Sequence, residues 1–204
     1  MTAQAGDTLS PSSMRLRKQA LRATQRGMRR KLPSAERRRA ARRAAARLLT
    51  WAPMRRARRI GVYLPNAAEL STAPLIAALH RAGRRLWVPV AAAGGAMRFA
   101  PLRKGARLKR GAFGVWQPAR AHPLRSARAL DLIVLPLLAF DARGARLGQG
   151  GGHYDRALAA THAARRPLRL GYAYAVQELP EVPMAGHDCR LHAVVTERGL
   201  RWLR

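Results

Sequence analysis

Residues 131–140, with the sequence DLIVLPLLAF, form an almost uninterrupted apolar run in the second half of the chain. A run of this length and composition is typical of a β-strand that is buried on both faces, as the central strands of parallel sheets are. Such a strand needs helices on both sides of its sheet to exclude water. The run therefore predicts an α/β fold in which a parallel sheet lies between two layers of helices.

Strand and helix patterns alternate along the chain from residue 59 onward. Short apolar segments predict strands, and segments with helical apolar spacing lie between some of them. The predicted strands are IGVYLP, RLWVPV, MRFAPL, RLGYAYAV and a closing strand or hairpin AVVTERGLRWL, with helices over 71–82 and 153–164. We therefore expect a single domain of the α/β class with a mainly parallel sheet in a Rossmann-like, three-layer arrangement.

Two arginine-rich helices precede this alternating region. The first is predicted over Met14–Arg30, and the second from Ser34, taken as its N-cap, to Pro53. Residues 1–13 are small and polar, so we expect a disordered tail there and one domain over 14–204. No apolar run reaches the roughly 20 residues of a membrane span, and no secretory signal pattern is present. We expect a cytoplasmic monomer with no membrane partner.

The charge balance is strongly basic, because 40 Lys and Arg residues against 10 Asp and Glu residues give a net charge of +30 at pH 7. Such an excess favours an anionic partner: nucleic acid, a nucleotide or an acidic small molecule. A proteome-wide preference for arginine, with solvated guanidinium groups, explains the same composition. Aromatic residues make up only 5% and do not alternate with the arginines, as they would on a single-strand platform. A basic nucleic-acid-binding protein is the main alternative to an enzyme.

The segment RLGQGGGHYD, residues 146–155, is the strongest candidate for chemistry. It follows the predicted buried strand and leads into a helix, which is where ligands bind in open α/β sheets. Its glycines at 148, 150, 151 and 152 allow positive φ and a close approach of backbone amides to phosphate oxygens. The segment matches neither the standard phosphate-loop pattern nor the dinucleotide pattern. A phosphate cradle and a flexible turn both remain open.

The few acidic residues can be sorted by position. Asp155 stands one turn from the glycine segment and is the first candidate ligand for a nucleotide-bound Mg²⁺, with Asp188 second. Each could instead be a helix-start carboxylate or a loop cap. His153 is a candidate ligand contact, and Cys189 fits a small buried thiol or a loop thiol better than a nucleophile. The sequence contains no catalytic-triad signature and no zinc motif.

Four segments taken together resemble the 5-formyltetrahydrofolate cyclo-ligases, also called 5,10-methenyltetrahydrofolate synthetases. KQALR (18–22) resembles a K-x-x-L-R segment of that family, and IGVYLPNAAELST resembles its first strand and the substrate-contacting turn after it. The most specific match is DLIVLPLLAFDARGARLGQGGGHYDRAL, which contains R-L-G-x-G-G-G-x-Y-D. VPMAGHDCRLHAVVTE resembles the family's P-x-x-x-x-D-x-x-x-D-x-V-x-T-E segment. The likeness extends from Lys18 to Glu197.

The resemblance implies a set of site residues. Lys18 and Arg146 would be the catalytic cations, and Asp155 and Asp188 would bind Mg²⁺. The residues implied to hold ATP are Lys18, Arg22, Arg146, Leu147, Gly148, Gln149, Gly150, Gly151, Gly152, His153 and Tyr154. Those implied to contact the folate are Leu64, Glu69, Trp116 and Tyr154.

The resemblance also implies the reaction, in which 5-formyltetrahydrofolate and ATP give 5,10-methenyltetrahydrofolate, ADP and phosphate. The substrate would include polyglutamylated forms, and no specific nucleic acid would be a partner. Phosphoryl transfer depends mainly on positioning and charge neutralisation, so the lack of a catalytic triad agrees with it. A different sugar- or nucleotide-phosphate enzyme on a similar sheet is a further alternative. The sequence departs from the family pattern at His192, where an aspartate is expected, and at Pro33-Ser34, which replaces Ser-Pro.

Overall fold

A seven-stranded β-sheet organises the computed structural model, which describes residues 10–66, 68–91, 96–111, 116–120, 123–161 and 166–203. Four short strands form two small additional sheets. The strands in chain order are β1 (Arg59–Gly61), β2 (Arg85–Ala91), β3 (Met97–Leu102), β4 (Leu108–Arg110), β5 (Trp116–Pro118), β6 (Leu132–Leu135), β7 (Ala139–Phe140), β8 (Arg146–Leu147), β9 (Leu168–Tyr172), β10 (Ala193–Val195) and β11 (Leu200–Trp202).

The large sheet has the strand order β11-β10-β9-β6-β1-β2-β3. Its five central strands pair in parallel, and each edge strand runs antiparallel to its neighbour. The small sheets are the antiparallel pairs β4 with β5 and β7 with β8. The carboxyl ends of the parallel strands therefore meet at one edge of the large sheet, and their amino ends meet at the opposite edge.

Within the described residues, five α-helices accompany the sheet: α1 (Pro11–Lys31), α2 (Ser34–Thr50), α3 (Ala52–Arg56), α4 (Ala73–Arg81) and α5 (His153–Leu158). Small residues on one face of α2 let it lie close to its neighbours, and that buried face consists of Ala40, Ala41, Ala44, Ala45 and Leu48. The arginines of α2 occupy the rest of its surface, as the helical spacing of the apolar residues predicts. None of the helices that the structure describes is long and apolar enough to cross a membrane.

The buried residues of β6 show how the sheet is covered on both faces. Leu132 and Val134 belong to the core that includes the buried faces of α2 and α4. Ile133 and Leu135 belong to a second core, which includes Leu158 of α5. Alternate side chains of one strand thus enter two different cores, because successive residues of a strand point to opposite faces. The predicted α/β domain with a mainly parallel, three-layer sheet is confirmed.

The apolar run at 131–140 is not one continuous strand. β6 ends at Leu135, and Pro136 follows it. Proline has no amide hydrogen to donate to the ladder, so it is found at the ends and edges of sheets. Residues 139–140 instead form β7, which pairs with β8 directly before the glycine segment. This small hairpin, rather than the buried strand itself, delivers the chain to the glycines.

The helix boundaries differ from the sequence prediction in α1, α2 and α5. α1 begins at Pro11, because the Ser10 hydroxyl caps it by accepting a hydrogen bond from the Ser13 amide at 3.2 Å. Residues 1–9 of the predicted tail lie outside the described residues. Ser34 is the first residue of α2 rather than its N-cap, and Pro53 belongs to the short helix α3. The predicted helix over 153–164 is α-helical only to Leu158, and its residues 162–164 lie outside the described residues.

Candidate active site

A pocket of about 710 Å³ lies at the carboxyl ends of β1, β2 and β6. The residues that follow or end these strands form its floor, and α1 and the glycine segment form its walls. From the strands come Tyr63, Leu64, Pro89, Val90 and Pro136, and from α1 come Met14, Arg15, Lys18 and Arg22. Residues 146–155 all line it, together with Asn66, Glu69, Met97, Ala185, His187 and Asp188. The site is therefore at the sheet edge where ligands bind in open α/β folds.

The glycine segment 148–152 connects β8 to α5 through two left-handed backbone positions. Gly150 has φ +110° and Gly152 has φ +62°, a region that L-residues rarely adopt. Gly148 and Gly151 do not have positive φ, so two of the four glycines use the backbone freedom that the sequence allows. Gly148 has a different reason to lack a side chain, because an added Cβ would lie 3.2 Å from the Arg146 guanidinium. A Cβ at Gly150 would lie 3.5 Å from the Arg22 guanidinium. The missing side chains thus let cationic groups lie directly against this backbone.

Helix α1 binds the glycine segment through two arginines one turn apart. Arg22 Nε donates to the carbonyl oxygen of Gly148 at 3.0 Å. Arg26 donates to both oxygens of Gln149, from Nε to the side-chain Oε1 at 3.3 Å and from Nη2 to the carbonyl at 3.2 Å. The sequence analysis missed Arg26. Its spacing of four residues from Arg22, itself four from Lys18, places all three on one face of α1 and could have identified it.

Two ion pairs join the predicted cations to the predicted metal ligands. Lys18 Nζ lies 2.5 Å from Asp188 Oδ2, and Arg146 Nη2 lies 2.5 Å from Asp155 Oδ1. The Arg146 side chain is only 3% exposed. Its Nε has no hydrogen-bond partner among the residues that the structure describes. A buried guanidinium with one nitrogen unsatisfied is a ready donor for an anion in the pocket.

The carboxylates of Asp155 and Asp188 line the same pocket. The Cys189 amide, which directly follows Asp188 in the chain, donates to Asp155 Oδ1 at 3.2 Å. Asp188 Oδ2 also caps its own loop by accepting from the Ala185 amide at 2.8 Å. Burial alone would raise the pKa of Asp188, but this amide and the Lys18 ammonium outweigh it and lower the pKa. Asp188 therefore stays ionised, as a cation ligand must.

The fit of these residues to Mg²⁺ depends on oxygens from a second molecule. Within the described ranges, no group of three or more His, Cys, Asp or Glu side chains is arranged to hold a metal ion. Mg²⁺ is commonly bound by one or two carboxylates, with phosphate oxygens and water completing its coordination. Asp155 and Asp188 match that donor set. The residues present thus fit an ion that enters with a phosphate ligand, and they do not form a cage for the ion alone.

The predicted folate residues separate into two groups. Leu64, Glu69 and Tyr154 line the pocket, but Trp116 does not. Trp116 lies on β5, where the Arg110 guanidinium stacks on its ring at 4.3 Å from the centroid. The β4–β5 pairing holds both residues there, so the structure does not bring Trp116 to this site. Tyr63, which the sequence analysis did not select, lines the pocket and donates its hydroxyl to the Leu70 carbonyl at 2.5 Å.

Glu69 links the glycine segment to the other side of the pocket. Its Oε2 accepts from the Asn66 amide at 3.0 Å, and its Oε1 lies 3.5 Å from Gln149 Nε2. Gln149 is also the residue that Arg26 holds. Tyr154 is half-buried nearby, and desolvation of its hydroxyl, with the charge of Glu69, raises the pKa of that hydroxyl far above the ordinary value. This hydroxyl stays protonated, so it can donate a hydrogen bond as well as accept one.

Cys189 and His192 lie beside the site without lining this pocket. Cys189 is a buried thiol, as predicted, and burial followed by the charge of Asp155 raises its pKa to about 11. His192, which stands where an aspartate was expected, faces Arg169. The Arg169 backbone amide lies 3.0 Å from Nδ1, and its guanidinium Nη2 lies 2.8 Å from Nε2. His192 thus has a structural role, in contact with a buried arginine.

Comparisons with known proteins agree with this arrangement. The family model described as the 5-formyltetrahydrofolate cyclo-ligase family matches residues 14–197. The 5-formyltetrahydrofolate cyclo-ligase of Escherichia coli (strain K12) is 36% identical over 157 residues, which are 75% of this chain and 85% of that protein. The NMR structure of the Aquifex aeolicus 5,10-methenyltetrahydrofolate synthetase superposes with a TM-score of 0.80 at 29% identity, covering 92% of this chain and 93% of that one.

A second solved structure, a 5,10-methenyltetrahydrofolate synthetase from Mycoplasma pneumoniae, shares the fold. It is 20% identical with a TM-score of 0.71 and covers 88% of this chain and 98% of that one. The family match covers both of the ion pairs, the glycine segment and the strands that form the pocket floor. The chain belongs to the 5-formyltetrahydrofolate cyclo-ligase family, and it is a cyclo-ligase.

Proposed function

We propose that this chain converts 5-formyltetrahydrofolate to 5,10-methenyltetrahydrofolate, with ATP as the phosphoryl donor and Mg²⁺ as the accompanying ion. The observation that carries the proposal is the convergence of the glycine segment, four Lys and Arg side chains and three carboxylates on one pocket. The family indicates the folate substrate. The basic side chains and the glycine segment of the pocket are the reason for proposing a nucleoside triphosphate. A folate is itself anionic, which suits a wall that carries Arg15, Lys18 and Arg22.

Asp155 and Asp188 each neutralise one cation of the site in this structure. Lys18 and Arg146 each form an ion pair at 2.5 Å in this structure. A triphosphate would offer both groups a second anion, and an ion entering with it would offer Asp155 and Asp188 a second cation. Each cation would then contact both its aspartate and a phosphate, and each carboxylate would contact both its cation and the metal ion. Ligand binding would therefore leave no unpaired charge in the pocket. This exchange of partners would account for the presence of both cations and carboxylates in one pocket.

A bound anion would stabilise the charged guanidinium of Arg22. Its burial and the nearby charge of Arg26 lower the pKa of its guanidinium, with Asp188 acting in the opposite direction. A phosphate beside Arg22 would offset the repulsion from Arg26. Because Arg22 also donates to the Gly148 carbonyl, its position is fixed before the ligand arrives. Such preorganisation is what charge stabilisation of a transferring phosphoryl group requires.

The proposed reaction proceeds in two steps. The formyl oxygen of the folate attacks the γ-phosphorus, and the bond between that phosphorus and the ADP oxygen breaks. The nitrogen at position 10 then attacks the formyl carbon, loses its proton to solvent, and expels the phosphate with the former formyl oxygen. Lys18 and Arg146 stabilise the negative charge of the transferring group, and bound Mg²⁺ supplies further neutralisation of the phosphate oxygens.

One assay tests the proposal directly. The purified chain is mixed with 5-formyltetrahydrofolate, and the absorbance of the methenyl product is followed with and without ATP, and with Mg²⁺ or EDTA. We expect product only with both ATP and Mg²⁺. Lys18→Met should remove the activity, and Arg42→Gln on the exposed face of α2 should retain it. Product without ATP, or nucleotide binding without any product, would overturn the proposed reaction.

A further inference from the structure

A second pocket, of about 940 Å³, lies at the amino ends of β1, β2, β6 and β9. We call it the arginine pocket. It has no lining residue in common with the active-site pocket, and the two lie at opposite edges of the large sheet. Six arginines line it: Arg56, Arg58, Arg59, Arg84, Arg85 and Arg166. Asp131 is the single carboxylate among its lining residues.

The arginines reach this pocket from three separate stretches of the chain, at residues 56–59, 84–85 and 166. Arg56 ends α3, and Arg59 begins β1. Arg85 begins β2, and Arg166 lies just before β9. Parallel strands bring their amino ends to one edge, so the sheet collects these residues at one place. Like charges this close repel one another, and the effect is stronger in a concavity than on an open surface.

The single negative charge of Asp131 cannot neutralise six arginines. Backbone amides also occupy one of its oxygens. Oδ2 accepts hydrogen bonds from the amides of Arg58 at 2.9 Å and Arg59 at 2.8 Å. Oδ1 lies 3.5 Å from the Arg59 guanidinium and 3.6 Å from that of Arg166. Among the described residues, the side chains of the other four arginines in the pocket form no ion pair with a carboxylate. The pocket has six cations against one anion.

We propose that the arginine pocket is an accessory binding site for a polyphosphate chain, carried by a nucleotide or by inorganic polyphosphate. Guanidinium groups match phosphate oxygens through paired hydrogen bonds, and a triphosphate brings several negative charges in a compact form. The volume lies in the range of pockets that enclose small ligands. A nucleic-acid duplex is read by elements that enter its grooves, and a concavity offers it none. The proposal concerns a second site and does not depend on the reaction proposed above.

Calorimetric titration with inorganic triphosphate tests the proposal by counting binding equivalents. The test variant is Arg56→Gln/Arg58→Gln/Arg85→Gln, in which all three side chains are exposed. The matched control is Arg38→Gln/Arg39→Gln/Arg42→Gln on the exposed face of α2, which removes the same charge from a convex surface. We expect the test variant to lose one equivalent, or to bind it about tenfold or more weakly, while the control keeps it.

The count separates this proposal from the proposed function. If both sites bind triphosphate, the natural chain takes up two equivalents and the test variant one. If the active site binds no triphosphate, the natural chain takes up one and the test variant none. Equal binding by test variant and control would overturn the arginine pocket, because the affinity would then follow net charge alone. Tighter binding of ATP than of triphosphate at this site would identify a nucleotide, and equal binding would identify the inorganic chain. Stoichiometric binding of a single-stranded oligonucleotide without triphosphate binding would overturn the proposal in favour of a nucleic-acid surface.

Discussion

The two edges of the large sheet carry similar basic side chains but very different supplies of carboxylate. At the carboxyl edge, Lys18 and Arg146 each have an aspartate at 2.5 Å. At the amino edge, six arginines have Asp131 alone. A pocket with paired charges can exchange partners with a ligand that brings both phosphate and a metal ion. An unbalanced pocket can only gain from an anion. The net charge of +30 therefore says little about function until the position of each carboxylate is known.

The largest effect is expected from Gly150→Val at the carboxyl edge. Gly150 has φ +110°, and a β-branched residue there forces the glycine segment into another conformation. We expect ATP affinity to fall roughly 100-fold or more, because such strain costs about 3 kcal/mol. Calorimetry measures the affinity, and thermal unfolding checks that the fold survives. Gly199→Val is the control, because its φ is not positive and an added Cβ meets no atom within 4 Å. Unchanged ATP affinity would show that the segment is a simple turn.

Asp155→Asn is expected to have the next largest effect. The amide keeps the shape of the side chain beside Arg146 and Cys189 but removes the charge that attracts a metal ion. We expect turnover to fall about 100-fold or more, with a higher Mg²⁺ requirement, since one group that neutralises the transferring phosphoryl is lost. Asp188→Asn should have a smaller effect of the same kind. Steady-state rates against Mg²⁺ concentration measure both.

The control for these variants lies at the opposite edge of the sheet. Asp131→Asn is the same chemical change at a residue that does not line the active-site pocket, so we expect turnover within about twofold of the natural chain. Near-normal turnover of Asp155→Asn at low Mg²⁺ would instead identify Asp155 as a helix-start carboxylate. The two edges of the sheet would then differ in their ion pairs and not in metal binding.

His192→Asp tests whether an added carboxylate stabilises the basic environment at the start of β9. Arg169 presents two donors to His192, at 3.0 Å and 2.8 Å, but a neutral imidazole has only one acceptor nitrogen. A carboxylate can accept both hydrogen bonds and pairs with the guanidinium. We expect the free energy of unfolding at pH 7 to rise by about 1–2 kcal/mol, measured by denaturant titration. A lower free energy of unfolding would show that the imidazole packs better than a carboxylate can.

The same residue predicts how stability depends on pH. Burial, and then the charge of Arg169, lowers the pKa of His192 from 6.5 to about 4. Between these two values the unfolded chain binds a proton that the folded chain does not, so the folded state loses stability as the pH falls through this window. His192→Gln should flatten this part of the stability curve, because glutamine does not titrate. An unchanged curve would mean that other groups cause the acid sensitivity.

The sequence predicts the layers of the fold and the residues of the glycine segment but not how the distant parts meet. The apolar run and the alternation of strands and helices depend on local periodicity, so they predict the sheet correctly. The contact of Arg22 with Gly148 joins residues 126 positions apart, and no local pattern contains it. Resemblance to a family, rather than periodicity, is what linked α1 to this segment in advance.

The errors have equally local causes. β7 has only two residues, too few to show any periodicity, so the apolar run at 131–140 predicts one strand where the structure has two. The resemblance assigns Trp116 to the folate, and only the β4–β5 pairing shows that it stacks with Arg110 instead. The sequence does not predict the arginine pocket, for a different reason. Its residues share nothing in sequence except a position near the start of a strand or the end of a helix, and the strand order alone brings them together.

The smallest effect is expected from Asp131→Asn in the arginine pocket itself, and it sharpens the contrast between the two edges. Burial alone would raise the pKa of Asp131, but hydrogen bonds from the amides of Arg59 and Arg58, and the charge of Arg59, lower it. The carboxylate therefore stabilises the fold above its unfolded pKa, and this contribution is lost as the pH falls through its lowered, folded pKa. Asparagine keeps an acceptor oxygen for the amides, so we expect a loss of only about 1 kcal/mol.

Removing this charge also removes the one group in the arginine pocket that repels an anion. We expect Asp131→Asn to bind inorganic triphosphate about two- to fivefold more tightly at low salt, with the gain fading as salt rises. Calorimetry at two salt concentrations measures both the gain and its salt dependence. Weaker binding at both concentrations would mean that Asp131 helps by positioning Arg59 and Arg166, which it contacts through Oδ1. The amino edge would then depend on a paired carboxylate, as the carboxyl edge does.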